Sequence, residues 1–232
     1  MRIGFVSDAH GNPDGLSKCL EYLRAKHTDK IFFLGDAVGY MPNWAAVFAL
    51  LDKFQVTCLR GNHDDMALGE GIDPKRNVVY KITHELIDEN TTYLSRVATL
   101  PSSITIEVGE RKLLLVHGSP FNTLDGYVYP DSSLADFEFI NADVVFMGNT
   151  HRPFVRRAFG KYLVNVGSCG LPRDVGNLAS CAVYETERDE CTVYRIPFNV
   201  EKIIETHKDE IHTTVVDCLR RRAESYFGVL VN

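Results

Sequence analysis

The sequence predicts an α/β fold, a four-layer α-β-β-α sandwich of two mixed β-sheets flanked by helices. In the first half, short apolar runs alternate with helical patterns, as in β-α units. In the second half, strand-like runs follow one another across short polar turns, which suggests an antiparallel or mixed sheet. A hairpin signal, Gly109-Glu110 between two alternating runs, sits where the pattern changes.

Residues 3–7 form the first strand. Residues 14–26 place Leu16, Cys19, Leu20 and Leu23 at helical spacing with charges between them. Residues 31–34 are a second apolar run, and residues 42–52 a second helix opened by Pro42. Trp44 and the Val47, Phe48, Leu51 stripe read as its core face. A third strand covers 55–59. A long helical stretch follows over 75–97, with a break near Asn90, and Pro101 ends it. Runs 104–108 and 112–116 make the hairpin, and 132–141 a short helix. Strands then follow at 144–147, 154–158, 162–166, 180–186 and 191–196. Residues 200–227 read as largely helical, with Arg220-Arg221-Arg222 on a solvated face. No linker, low-complexity tract or repeat divides the chain, so residues 1–232 read as one domain, with a core over 1–198 and C-terminal helices over 199–232.

A 45% hydrophobic and 24% charged composition suits a globular chain with a full core. Lys and Arg number 25 against 31 Asp and Glu, a net charge of −6. That balance argues against a nucleic-acid coat or an anionic-membrane binder. A phosphate-bearing substrate stays allowed, because bound metal supplies positive charge locally. Cys19, Cys58, Cys169, Cys181, Cys191 and Cys218 contain no C-x-x-C pair and mostly sit in apolar runs, so they read as reduced, buried thiols. No signal-peptide pattern precedes Asp8, and no apolar stretch is long enough to span a bilayer. A cytoplasmic location is the expectation.

The chemistry lies at strand ends. Apolar runs terminate in Ser7-Asp8-Ala9-His10, in Gly35-Asp36, in Arg60-Gly61-Asn62-His63-Asp64, in His117-Gly118 and in Gly148-Asn149-Thr150-His151. In α/β sheets the carboxyl ends of neighbouring strands meet at one crevice, so these residues converge. Carboxylate, imidazole and carboxamide without thiolate suit Mn, Fe, Zn or Ni. Two ions need three to four ligands each, and Asp8, His10, Asp36, Asn62, His117, Asn149 and His151 supply them. His27, His84, His207 and His212 fall in helical patterns and read as surface or packing residues.

This ordered set resembles the calcineurin-like metallophosphoesterase superfamily, and within it the small bacterial and archaeal phosphodiesterase branch. The family pattern is D-x-H, G-D, G-N-H-[D/E], a strand-end H, and G-H-x-H. Gly35-Asp36-Ala37-Val38-Gly39-Tyr40, His117-Gly118-Ser119-Pro120, Asn165-Val166-Gly167-Ser168 and Pro172-Arg173-Asp174 match the branch further. The resemblance covers residues 1–198. It implies one divalent ion on Asp8, His10 and His151, a second on Asn62 and His117, and Asp36 bridging them. Mn is the first choice, with Fe, Zn or Ni as alternatives. His63 is implied as general acid beside the site, with Asp64 orienting it, in a hydrolysis that uses a metal-activated hydroxide. Asn149 departs from the family, which has His there as a ligand of the second ion. A neutral carboxamide oxygen is the poorer ligand.

Arg60 and Arg173 read either as phosphate-binding residues or as surface ion pairs. Phe121, Tyr127 and Tyr129 lie in the loop after His117, where loop packing and a substrate wall are both open readings. The implied substrate is a phosphoester, with a nucleotide-like one and a homo-oligomer both allowed. Two rivals stand beside a metal-dependent phosphodiesterase. A protein serine/threonine phosphatase resembles G-D-x-V-D-R-G, against Gly39-Tyr40-Met41 here. A non-catalytic scaffold with a degenerate metal cleft draws its support from Asn149.

Overall fold

A computed structural model describes residues 1–69 and 92–231. The chain opens with β1 (Arg2–Val6), α1 (Pro13–Ala25), β2 (Lys30–Phe33), α2 (Trp44–Lys53), β3 (Thr57–Cys58) and α3 (Asn62–Ala67). After a helical stretch over residues 92–99 come β4 (Ser103–Val108), β5 (Arg111–Val116), a 3₁₀ turn (Ala135–Phe139), β6 (Val144–Met147), β7 (Phe154–Ala158) and β8 (Lys161–Asn165). The chain ends with β9 (Leu178–Glu185), β10 (Glu190–Pro197), α4 (Val200–Thr206), α5 (Thr213–Arg220) and β11 (Val229–Leu230).

The strands form two mixed sheets, ordered β11-β10-β9-β1-β2-β3 and β4-β5-β6-β8-β7. β1, β2 and β3 run parallel, as do β5, β6 and β8. Every motif-bearing strand therefore lies in a parallel part of its sheet, which brings the motif ends together. The β4–β5 hairpin turns at Gly109-Glu110 as the sequence predicts, with Val108 opposite Arg111 and Gly109 at φ 60°.

Period-two alternation splits each strand between two cores. Ile3, Phe5, Phe32 and Leu34 face Leu113, Leu115, Val144, Phe146 and Val164 between the sheets. Phe5 stacks on Phe146 with ring centroids 3.7 Å apart. Val6, Phe33, Cys181 and Val183 face outward onto Leu16, Leu20 and Leu23 of α1 and Trp44, Val47 and Phe48 of α2. Asn12 caps α1 by accepting the Asp14 N–H, with Pro13 in the first turn. Over the outer face of the second sheet, Phe137 of the 3₁₀ turn and the loop residues Val128 and Leu134 cover Val116, Val145, Met147 and Leu163.

Several boundaries differ from expectation. The predicted long helix over 75–97 lies mostly outside the described residues, as does His84. The short helix over 132–141 is a single 3₁₀ turn. The largely helical C-terminus is two short helices and a strand. His207 leaves helical geometry where its ring meets Asn43. After α5 the Arg221 carbonyl accepts the Gly176 N–H, and the Phe227 carbonyl accepts from buried Arg195. Those distant donors draw the chain out of helix and onto the edge of β10. All six cysteines are free, and Cys58 is pushed up to about 12 by burial. Among the described residues no helix is long and apolar enough to cross a membrane.

Candidate metal centre

The turns after the parallel strands are laced together by backbone hydrogen bonds. Asp8 N–H donates to Gly35 O, His10 N–H to Asp36 O and Gly148 N–H to His117 O. Asp8, His10, Asp36, Asn149 and His151 all hold positive φ, between 49° and 62°. Such a conformation costs a non-glycine residue roughly 1–3 kcal/mol and persists only where the surroundings over-determine it. Here it lets the chain turn sharply at the end of each strand. At Gly39, with φ 132°, a Cβ would sit 2.7 Å from His10 Nδ1 and 3.0 Å from His63 Nδ1, so only glycine lets this turn close on both rings.

Asp8, His10, Asp36, His117 and His151 are each 1% exposed or less. Their facing atoms form a cage. His10 Nε2 lies 3.0 Å from His151 Nε2 and 3.6 Å from Asp36 Oδ2. His117 Nε2 is 3.3 Å from Asp36 Oδ2 and 3.9 Å from Asp8 Oδ1. Asp8 Oδ1 is 3.3 Å from His151 Nε2. Asp8, His10 and His151, as well as Asp8, Asp36 and His117, keep their ligand atoms within 4.8 Å of one another; so do His10, Asp36 and His63.

The hydrogen bonds around the cage leave it a surplus of lone pairs. His10, His117 and His151 direct Nδ1 at the carbonyls of Val38, Leu34 and Leu171, at 3.2, 3.0 and 2.6 Å. A carbonyl only accepts, so each Nδ1 carries a proton, and Nε2 is the ring atom that each histidine turns toward the cage. Each carboxylate also divides its work. Asp8 Oδ2 accepts the Asn149 N–H and Asp36 Oδ1 the His63 N–H. Asp8 Oδ1 and Asp36 Oδ2 have no hydrogen-bond partner among the described residues. Buried lone pairs facing one another at these distances call for cations, and the donor set fits divalent transition ions.

Electrostatics agrees. Burial pushes the Asp36 carboxyl up, but His117, His63 and His10 together hold it well below the usual carboxylate range. Burial alone would lower His117, yet Asp36 and Asp8 raise it to about 9. Without a cation, a proton is drawn to that place. His10 is held well below its ordinary value by burial and by His63. Burial brings His63 down to about 4, with His151 and His117 adding to the effect against Asp36.

Asn62 Oδ1 lies 3.0 Å from His117 Nε2, which puts it on the same side of the cage. Asn149 is buried, donating its backbone N–H to Asp8 and its side-chain Nδ2 to Gly126 O at 3.1 Å. His63 packs edge-on against His10, with centroids 4.6 Å apart. Asp64, expected to orient His63, directs its carboxylate at backbone instead. Its oxygens accept the backbone N–H groups of Asp36 and Gly61 (Oδ2) and of Ala37 and Val38 (Oδ1), so it fixes the turn carrying Asp36. Burial, then the charge of Asp36, push its carboxyl up to about 7, against the Gly61 and Val38 N–H groups. Arg60 pairs with Asp65 at 2.8 Å, the ion-pair reading. Arg173 donates to Tyr40 OH at 3.4 Å, and its charge adds slightly to the lowering of the proton affinity of His10 and His63.

Supporting residues gave weaker signals. Asn165 donates to Gly148 O at 2.6 Å and to Thr150 Oγ1, holding the turn that carries Asn149. Ser168 donates to Asp8 O at 2.7 Å. Their Asn165-Val166-Gly167-Ser168 motif is visible in the sequence without its purpose. Tyr40 packs against both His10 and His63, at 4.9 and 4.7 Å.

Comparison with known proteins bears on this centre. The uncharacterized protein MJ0912 of Methanocaldococcus jannaschii is 30% identical over 224 residues, covering 88% of this chain and 90% of its own. The hypothetical protein PH1004 from Pyrococcus horikoshii OT3 shares the fold, with a TM-score of 0.83 at 20% identity over 95% of this chain and 98% of its own. A metallophosphoesterase from Sphaerobacter thermophilus superposes with a TM-score of 0.77 at 25% identity, covering 94% and 98%. Residues 1–189, which include every strand end of the cage, match the calcineurin-like phosphoesterase superfamily domain, and the chain belongs to that superfamily.

Proposed function

We propose that this protein is a metal-dependent phosphodiesterase with a two-ion centre. The observation that carries the reading is the pair of buried, unpartnered carboxylate oxygens among three inward imidazole nitrogens. Asp8, His10 and His151 would hold one ion, and Asn62, His117 and Asn149 the other. Asp36 Oδ2 lies between His10 and His117 and reaches both. Divalent ions bound there, with Mn as first choice, neutralise phosphate oxygens and acidify water.

The rest falls to the chain's own groups. Arg173, half-buried beside Tyr40, binds a non-bridging phosphate oxygen. His63 is 5% exposed, and its Nδ1 has no hydrogen-bond partner among the described residues. It stands beside the cage to give a proton to the departing oxygen. Its low proton affinity leaves it neutral at pH 7 in the free protein, so this role draws on the negative charge of bound substrate. The aromatic residues Phe121, Tyr127 and Tyr129 are 56%, 41% and 38% exposed on the loop after His117, which suits a nucleotide-like or aryl leaving group.

Hydrolysis of bis-p-nitrophenyl phosphate with Mn²⁺, set against the monoester, is the test. Faster turnover of the diester is expected. Preference for the monoester sinks the phosphodiesterase assignment. Absence of hydrolysis with every divalent ion tried supports a scaffold that binds in this cleft without turnover.

A further inference from the structure

The two asparagines of the cage share a feature the imidazoles lack. A carboxamide has two ends of nearly equal size, and only its partners decide which end faces the cage. Asn62 directs Nδ2 at Asp125 Oδ1, 3.3 Å away, and Asn149 directs Nδ2 at Gly126 O, 3.1 Å away. A carboxylate and a carbonyl only accept. Each NH₂ is therefore drawn outward to the loop, and each Oδ1 is left for the cage. For Asn62 the consequence is visible, with Oδ1 3.0 Å from His117 Nε2.

Both acceptors belong to one tightly wound loop that begins directly after His117. Gly118 N–H donates to Thr123 O, Ser119 N–H to Asn122 O, and Gly126 N–H also to Asn122 O. The Asn122 side chain accepts the Asp125 N–H. A Cβ on Gly118 would lie 2.4 Å from Gly126 N, so the loop folds back onto the residue after the ligand. On the other side of the cage, His10 and His151 take their orientation from Val38 O and Leu171 O and owe nothing to this loop.

We infer that the loop of residues 118–126 orients both carboxamide ligands of the second ion, with Asp125 as the positioning residue for Asn62. This rests on the two-ion reading above. The loop thereby sets the hold on the second ion and leaves the first alone. Loss of a partner that orients a ligand typically weakens metal binding by about 10–100-fold.

The test is calorimetric titration of the metal-stripped full chain with Mn²⁺, with bound ions counted by mass spectrometry. The wild type, Asp125→Ala and Asp125→Asn are compared. Two binding steps are expected for the wild type. Asp125→Ala should weaken the second step by about 10–100-fold and leave the first unchanged. Asp125→Asn should recover to within a few-fold, because its Oδ1 still accepts from Asn62. Two steps in the wild type and an unchanged second step in Asp125→Ala overturn the inference alone. Asp125→Asn as weak as Asp125→Ala also overturns it, because simple charge attraction then explains the loss. A single step in the wild type overturns it by removing the site to be oriented. A wild type that takes up no ion removes the two-ion reading beneath it as well.

Discussion

On the side of His10 and His151, each ring is fixed by a backbone carbonyl in a turn between buried strands, and both rings are 1% exposed or less. On the side of His117, one ring is fixed in that way, and the carboxamides of Asn62 and Asn149 direct their NH₂ groups at a partly exposed loop. Both sides use strand ends of parallel strands, and both lean on Asp8 and Asp36. The difference is what determines ligand direction, packed turns in one case and a surface loop in the other. Imidazole against neutral carboxamide sharpens it further. On the two-ion reading proposed above, a centre built this way would hold its ions unequally, with a shared carboxylate tying the sides together.

Removing the shared carboxylate should erase the distinction altogether. Asp36 Oδ2 stands 3.6 Å from His10 Nε2 and 3.3 Å from His117 Nε2. Asp36→Ala is expected to lose both ions and all hydrolysis, read by metal content and turnover. Full occupancy of either site in that variant would show that Asp8, whose Oδ1 also reaches both sides, holds the centre alone. A smaller loss isolates proton transfer from metal binding. His63→Ala should keep both ions and lower kcat by about 10²–10⁴-fold, the usual worth of a general acid. Unchanged kcat excludes His63 from that role.

Asp64→Ala probes the scaffold beneath both sides. The variant strands buried N–H groups at Gly61, Asp36, Ala37 and Val38, and each such group costs about 1–3 kcal/mol. A loss on the order of 4 kcal/mol in denaturant unfolding is expected. A change below about 1 kcal/mol would mean that water satisfies the turn instead.

How much of this was legible in the sequence follows from the same physics. Strand ends announce themselves because an apolar run stops at a polar residue, so Asp8, Asp36, His117 and His151 stand out. Their convergence follows from parallel pairing, which alternation of strand and helix predicts. Asp64 was visible as a residue, but its job was not. A carboxylate three residues into a helix looks the same whether it faces an imidazole or caps a neighbouring turn. Asp125 and Gly126 carry no periodicity at all, and only the fold of their loop brings them against Asn62 and Asn149. β11 was hidden for a related reason. Val229 and Leu230 follow a helical stretch, and the buried Arg195 that captures the Phe227 carbonyl lies far off in sequence.

Asn149→His is the mildest change and the most direct probe of the asymmetry. The backbone there sits at φ 62°, and His10 and His151 already hold such values in the same cage, so a histidine is accommodated. The backbone N–H bond to Asp8 does not depend on the side chain. An imidazole can also keep the loop contact, because Nδ1–H donates to Gly126 O as the present Nδ2 does. That tautomer turns Nε2 toward the ion, replacing a neutral oxygen with a better donor for Mn or Zn. The second binding step should tighten and the first should stay as it was, which narrows the gap between the two sides. A tighter first step instead would place Asn149 on the wrong side of the cage. No change in either step would mean that its carboxamide oxygen never meets an ion, and that His117 and Asn62 hold the second site with the shared carboxylates alone.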